Sequence, residues 1–135
     1  MEQIFKNDFI NIKHDGESTV ISQWHPKTEF MEDDEFKESH MGIVHAVVET
    51  KSHAILGYTQ DFAYTIVPEI QEWVANDTFP ALIEAGLKKI AMIVSTDFFS
   101  QISIQQSMEE VQEDAPVVTK YFNNADDAKA WIDAE

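Results

Sequence analysis

Apolar residues along this chain recur at two spacings, and the switch between them predicts alternating strands and helices. Short apolar or alternating segments favour strands at residues 3–14, 19–24, 53–58, 90–94 and 117–122. Apolar residues three and four positions apart favour helices at residues 33–50, 68–85 and 98–113 and after residue 124. Asn7-Asp8 interrupts the first strand segment, and Asp15-Gly16 predicts a hairpin turn after it.

The order of these segments predicts a single α/β domain over residues 1–135. A hairpin comes first and is followed by alternating helices and strands, in the order ββ-αβ-αβ-αβ-α. Such an order folds as one mixed sheet, here of about five to six strands packed with about four helices.

Two helices carry local signals of their own. Glu32 is the candidate N-cap of the first helix, and Met31 and Phe36 occupy the positions of a hydrophobic staple. The apolar stripe that follows is Phe36, His40, Ile43, Val44 and Val47. Pro80 lies inside the second helical segment, where its missing N–H predicts a kink or a break near residues 76–79.

The third helical segment has no single apolar stripe. Phe98 and Ile102 form one set, whereas Ile104, Met108 and Val111 form a second set that points elsewhere. If one set faces the sheet, the other is left exposed, and exposed apolar patches usually mark contact surfaces. We therefore predict a symmetric homodimer with Ile104 and Met108 at the contact. The alternative is an irregular segment that bends so that both sets reach the core.

The charge of the chain is strongly negative. Its 25 Asp and Glu residues face 9 basic residues, all of them lysines, which gives a formal net charge of −16. A chain without arginine and with this charge repels nucleic acid and anionic lipid, so we expect neither as a partner. A basic partner is compatible with the charge, and the alternative is that the charge serves solubility alone.

The sequence also indicates a location. It contains no cysteine, no apolar run of 18 residues and no secretory h-region within its first thirty residues. We therefore expect a soluble, cytoplasmic protein without a signal peptide or a membrane span.

Polar side chains follow two apolar strands at the edge of the sheet where ligands and partners usually bind. The candidate binding residues are Thr59, Asp61, Tyr64, Thr65, Ser95 and Asp97. Asp61 and Asp97 could form a paired-carboxylate acid–base site. The alternative is that these residues act as helix caps and loop hydrogen-bonding groups.

Known catalytic motifs do not occur in the sequence. His40 and His45 are five residues apart, which on a helix turns them away from each other, and there is no H-E-x-x-H motif. There is also no G-x-S-x-G elbow and no glycine-rich phosphate loop. We therefore expect no metal, no cofactor and no catalytic residues.

The segment Asp61-Phe62-x-Tyr64-x-Ile66-x-Pro68-Glu69-x-Gln71-Glu72-Trp73 resembles small bacterial STAS-like domains. Residues 84–91, 101–110 and 121–131 agree with this resemblance, which covers about residues 5–133. It implies the fold of the anti-sigma-factor antagonists, which is shared with CRAL-TRIO lipid-binding domains. In those antagonists a serine in an Asp-Ser-Ser-Gly stretch is phosphorylated. That stretch does not occur here, and Thr65 is the nearest hydroxyl and the candidate phosphorylation site.

Two functions are compatible with these features. The first is a non-catalytic STAS-like interaction module that binds a protein partner through the loop and helix after the strand at 54–58. The alternative is a carrier of a small apolar ligand in a pocket lined by aromatic residues, as the fold shared with lipid-binding domains would allow. The aromatic residues grouped near this sheet edge are Phe62, Tyr64, Trp73, Phe79, Phe98 and Phe99.

Overall fold

The computed structural model describes residues 2–111 and 115–134. The strands are β1 Glu2–Lys6, β2 Ile10–His14, β3 Thr19–Trp24, β4 Ala54–Tyr58, β5 Lys89–Ile93 and β6 Val118–Phe122. The α-helices are α1 Asp33–Thr50, α2 Pro68–Trp73, α3 Phe79–Glu84, α4 Phe98–Glu109 and α5 Ala125–Asp133. A 3₁₀-helix covers Pro26–Phe30, and a π-helical turn at Val74–Thr78 joins α2 to α3.

The strands form one mixed six-stranded sheet in the order β1-β2-β3-β4-β5-β6. The first three strands pair antiparallel, and β3 to β6 pair parallel. The predicted α/β fold with a mixed sheet is thus confirmed. The segment at 3–14 forms two strands because the Asn7 carboxamide oxygen accepts hydrogen bonds from the Phe9 and Ile10 N–H groups at 2.8 and 3.0 Å, turning the chain back.

Helices cover the two faces of the sheet unequally. The face that carries Val20, Trp24 and Ile55 packs against residues of α1 to α4 and holds the larger core. The opposite face packs Leu56 and Ala91 against α5 in a smaller core. Consecutive parallel strands in spatial order, joined by crossovers of one hand, place their connecting helices on the same face, which explains this division.

Helix α1 begins as its sequence predicts. Glu32 is the N-cap and forms a reciprocal capping box with Glu35, whose carboxylate accepts the Glu32 N–H at 2.9 Å. Met31 and Phe36 are both buried. The rest of the predicted stripe faces the larger core, with His40 half-buried.

The second helical segment continues through Pro80 without stopping. The Phe79 N–H donates to the Val74 carbonyl, five residues back, and the Thr78 hydroxyl donates to the same carbonyl at 2.9 Å. The predicted kink or break therefore takes the form of a wider helical turn, which offsets the hydrogen bond that Pro80 cannot make.

The segment that forms α4 turns the second of its two apolar sets, Ile104, Met108 and Val111, toward the larger core. Ile104 is 5% exposed and Met108 is half-buried against the larger core. Ile104 therefore offers no exposed surface to the predicted dimer contact, and Met108 offers only part of its side chain. The homodimer itself stays a prediction.

The inward face of α4 is built mainly from small polar residues, the buried Ser100, Ser103 and Ser107. Ser103 and Ser107 donate their hydroxyl hydrogens to carbonyls of the same helix at 2.8 and 2.9 Å. Because these hydrogen bonds satisfy the hydroxyls, the serines can be buried at little cost. The exposed apolar residues of α4 are instead Phe98 and Phe99.

Gly86 ends α3 in a conformation that favours glycine, with φ +99°. A Cβ added there would meet only His53 Cδ2, at 3.9 Å, so the strain is confined to the backbone.

We expect Gly86→Ala to lower the free energy of unfolding by roughly 1–2 kcal/mol, measured by urea denaturation at neutral pH. Gly57→Ala, inside β4, is the matched control. There an added Cβ lies 3.6 Å or more from its neighbours, and equal losses in the two variants would contradict this account.

Candidate functional site

The segment after β4 presents two different sides. Residues 59–67 alternate, with Phe62, Tyr64 and Ile66 buried and with Asp61 and Thr65 exposed. The buried side covers the larger core, whereas the exposed side faces solvent. The candidate residues from the sequence are therefore divided between a structural and an accessible group.

Three of the candidate hydroxyl groups hold this segment in place. The Ser95 hydroxyl donates to the Phe62 carbonyl at 2.7 Å, and the Thr59 hydroxyl donates to the Ile93 carbonyl. The Tyr64 hydroxyl donates to the Asp33 carboxylate at 2.5 Å. Burial, together with the Asp33 carboxylate, raises the pKa of Tyr64 above its usual range. These residues position the segment, as the structural alternative predicted.

Asp97 acts as the N-cap of α4. Its carboxylate accepts hydrogen bonds from the Ser100 hydroxyl at 2.6 Å and from the Ser100 N–H at 2.9 Å. These bonds hold the pKa of Asp97 below its usual value, whereas a general acid needs a raised pKa. This geometry supports the capping role of Asp97 over an acid–base role.

The exposed side of the segment adjoins the start of α4. Thr96 donates its N–H and its hydroxyl to the Gln60 carbonyl at 3.1 and 2.9 Å, which joins the two loops. Shortly after Thr96, Phe98 and Phe99 are 69% and 68% exposed, with ring centroids 5.5 Å apart. The accessible candidates Asp61 and Thr65 thus belong to a loop that is tied to an exposed aromatic pair.

Beneath this segment, a cavity of about 100 Å³ separates the sheet from the helices of the larger core. Its walls are mostly apolar side chains from β3, β4, β5, α1, the segment 59–67, the π-helical turn, α3 and α4. All lining residues are buried except His40, Met92 and Met108. Phe62 and Phe79 are the only members of the predicted aromatic group that line it.

Small residues in the middle of the sheet create this space. Ser22 of β3 pairs with Gly57 of β4, which in turn pairs with Met92 of β5. All three line the cavity, and an added Cβ at Gly57 would lie 3.6 Å from Ser22 Oγ and 3.7 Å from Met92 Cγ. The side chain of Ser22 is only a hydroxymethyl group, and that of Gly57 is a hydrogen. These two adjacent positions therefore leave an open space between the sheet and the helices.

Ser22 contributes an unusual polar group to this floor. The residue is only 2% exposed, and within residues 2–111 and 115–134 no hydrogen bond is formed by its hydroxyl. Buried hydroxyls normally have a partner, whereas this one belongs to a residue that lines the cavity.

His40 contributes an uncharged imidazole to the cavity wall. Its Nε2 lies 2.9 Å from Thr78 Oγ1. Because Thr78 already donates its hydroxyl hydrogen to the Val74 carbonyl, Nε2 is the protonated nitrogen that donates to Thr78. The ring stacks on Phe36 and meets Trp73 edge-on, and burial lowers the pKa of His40 to about 4.

Sequence reasoning missed Ser22 and Gly57. The available signal was a glycine inside an otherwise apolar strand, AILGY, because such a glycine often marks a place that a ligand or another backbone approaches closely. What was not visible was that Ser22, 35 positions earlier, pairs with this glycine.

No protein-family model, curated protein or solved structure matches this chain. Among the described residues, no three His, Asp or Glu side chains are grouped to hold a metal ion. Across residues 2–111 and 115–134, no helix has the length and apolar character needed to cross a membrane.

His40 predicts a specific acid sensitivity. Its pKa of about 4 in the folded protein lies below its ordinary value of 6.5. Between pH 6.5 and pH 4, His40 is therefore protonated in the unfolded chain but not in the folded protein. The free energy of unfolding thus has its full value above pH 6.5 and falls as the pH approaches 4. We expect the free energy of unfolding to fall by about 2 kcal/mol from pH 7 to pH 5 because of His40.

The measurement is urea denaturation at both pH values for wild type, His40→Gln and His45→Gln. His45 lies on the same helix but is exposed, so its variant is expected to retain the wild-type pH dependence. His40→Gln is expected to lose less stability on acidification. Parallel pH dependence in all three proteins would show that His40 is not the acid-sensitive group.

Proposed function

We propose that this protein binds a small apolar molecule in the cavity between the sheet and helices α1 to α4. The observation that carries the proposal is a cavity of about 100 Å³ whose walls are almost entirely apolar side chains. Engineered apolar cavities of about 150 Å³ bind benzene and xenon, so the volume suits ligands on that order of size.

The surrounding structure supports a binding role. A void in a close-packed core costs stability, since its walls lose contacts that a smaller cavity would keep. A bound apolar ligand restores those contacts and removes its own surface from water. The resemblance to STAS-like domains, whose fold is shared with lipid-binding domains, agrees with this function.

Benzene is the probe for this proposal. We expect benzene to shift the methyl resonances of Met92 and Met108, which both line the cavity, in a ¹H–¹³C NMR titration. Gly57→Val places two methyl groups in the space next to Ser22 and is expected to abolish the shifts. Gln23→Val is the matched control, because Gln23 is exposed on the strand that carries Ser22.

The expected pattern is saturable shifts in wild type and Gln23→Val and none in Gly57→Val. The proposal fails if benzene leaves the wild-type resonances unchanged. It also fails if the shifts persist in a folded Gly57→Val protein.

A second candidate function is favoured by the exposed pair Phe98 and Phe99, which adjoins the segment 59–67. In this proposal the protein is a non-catalytic STAS-like interaction module in the cytoplasm, and a protein partner contacts Asp61, Thr65 and the two phenylalanines. Exposed aromatic side chains are frequent at the centres of protein interfaces. Thr65 is exposed and so is accessible to a kinase.

Affinity capture from the native cytoplasm tests the second candidate. The test variant combines Asp61→Lys with Thr65→Arg, and a second variant combines Phe98→Ser with Phe99→Ser. Val48→Ser is the control, because Val48 is 47% exposed near the end of α1, at the opposite edge of the sheet from the segment 59–67. We expect a partner retained by wild type and the control and lost from both double variants. Sedimentation at micromolar concentration shows whether the partner is a second copy of this chain. If wild type, the control and both double variants capture the same proteins, this surface is not the binding site.

A further inference from the structure

Three polar groups in the cavity wall are engaged in hydrogen bonds within the protein. Thr59 donates to the Ile93 carbonyl, and Ser107 donates to the Ser103 carbonyl. His40 uses its Nε2–H on Thr78. Among the described residues that line the cavity, Ser22 alone has a hydroxyl hydrogen without a protein acceptor.

The position of Ser22 aims this hydroxyl at the cavity. Its side chain lies on the same face of β3 as the buried Val20 and Trp24, and its Oγ lies 3.6 Å from the place where Gly57 would carry a Cβ. Because Gly57 has no side chain, the position of β4 that pairs with Ser22 does not cover the hydroxyl. A ligand that fills the space beside Gly57 would therefore contact Ser22 Oγ.

The charge of the walls restricts the ligand further. No Lys, Asp or Glu side chain lines the cavity, and burial holds the pKa of His40 at about 4, which keeps its ring neutral at pH 7. An ionised ligand would lose its hydration here without gaining an opposite charge, which disfavours carboxylates and amines. The net charge of −16 disfavours anions in addition.

We propose that the cavity selects a small, uncharged, mostly apolar molecule with one hydroxyl or carbonyl group, which hydrogen-bonds to Ser22 Oγ. This inference rests on the proposed ligand-binding function and names the chemical class of the ligand. The apolar body of the ligand contacts Phe62, Ile90 and Ile104, and its single polar group satisfies the buried hydroxyl.

Toluene and phenol test the inference, because they are nearly equal in shape and differ in one hydrogen-bonding group. Dissociation constants for both are measured by the methionine-methyl titration for wild type and for Ser22→Ala. We expect Ser22→Ala to weaken phenol binding relative to toluene by about fivefold to tenfold, the usual worth of one neutral hydrogen bond. Because the Ser22 hydroxyl has no protein partner, Ser22→Ala is expected to fold, and circular dichroism checks this.

The other outcomes separate the two proposals. In one outcome, toluene binds and Ser22→Ala leaves the ratio of the phenol and toluene dissociation constants unchanged. That result would overturn the role of Ser22 and leave the apolar site supported. Toluene binding without any phenol binding would overturn the ligand class alone. If neither compound nor benzene shifts the wild-type resonances, both the inference and the proposed function are wrong.

Discussion

The parallel register of β3, β4 and β5 places Ser22, Gly57 and Met92 side by side on the face that receives α1 to α4. Side chains alternate between the two faces of a strand, so a shift of one residue would turn Ser22 or Gly57 to the opposite face. The helices rest on the larger residues around these positions, such as Trp24, Ile55 and Ile90. The cavity is thus a consequence of the strand register together with two small residues.

A second constraint is the way the segment 59–67 closes over this face. The segment belongs to no strand or helix, so side chains from other elements satisfy its polar backbone groups. Thr28 accepts the Ala63 N–H at 2.9 Å, Ser103 accepts the Ile66 N–H at 3.0 Å, and Gln71 donates to the Ile66 carbonyl at 2.8 Å. These hydrogen bonds explain why so many hydroxyl residues near the strand ends are buried, and they fix Phe62 and Ile66 in the cavity wall.

The opposite face shows how a short helix is held without a large core. Trp131 of α5 packs against Phe122 and lies under two lysine ammonium groups, those of Lys89 and Lys120, at 5.1 and 5.3 Å from its ring. Lys89 also donates to the Trp131 carbonyl at 2.8 Å, where the negative end of the helix dipole favours a cation. The two faces are thus stabilised by different means, and the cavity belongs to the face with the larger apolar interior.

Local sequence determined the elements that depend on nearby residues. The N-cap at Glu32, the apolar stripe of α1 and the order of strands and helices follow from spacings of a few residues, and the structure has them as predicted. The face that α4 turns inward was decided by tertiary packing, because Ser103 accepts the Ile66 N–H of the distant segment 59–67, a contact that the spacing of residues within α4 does not reveal. The cavity was decided in the same way. Gly57 is a signal within its own strand but Ser22 is not, and only the parallel pairing of strands more than 30 residues apart brings the two together as its floor.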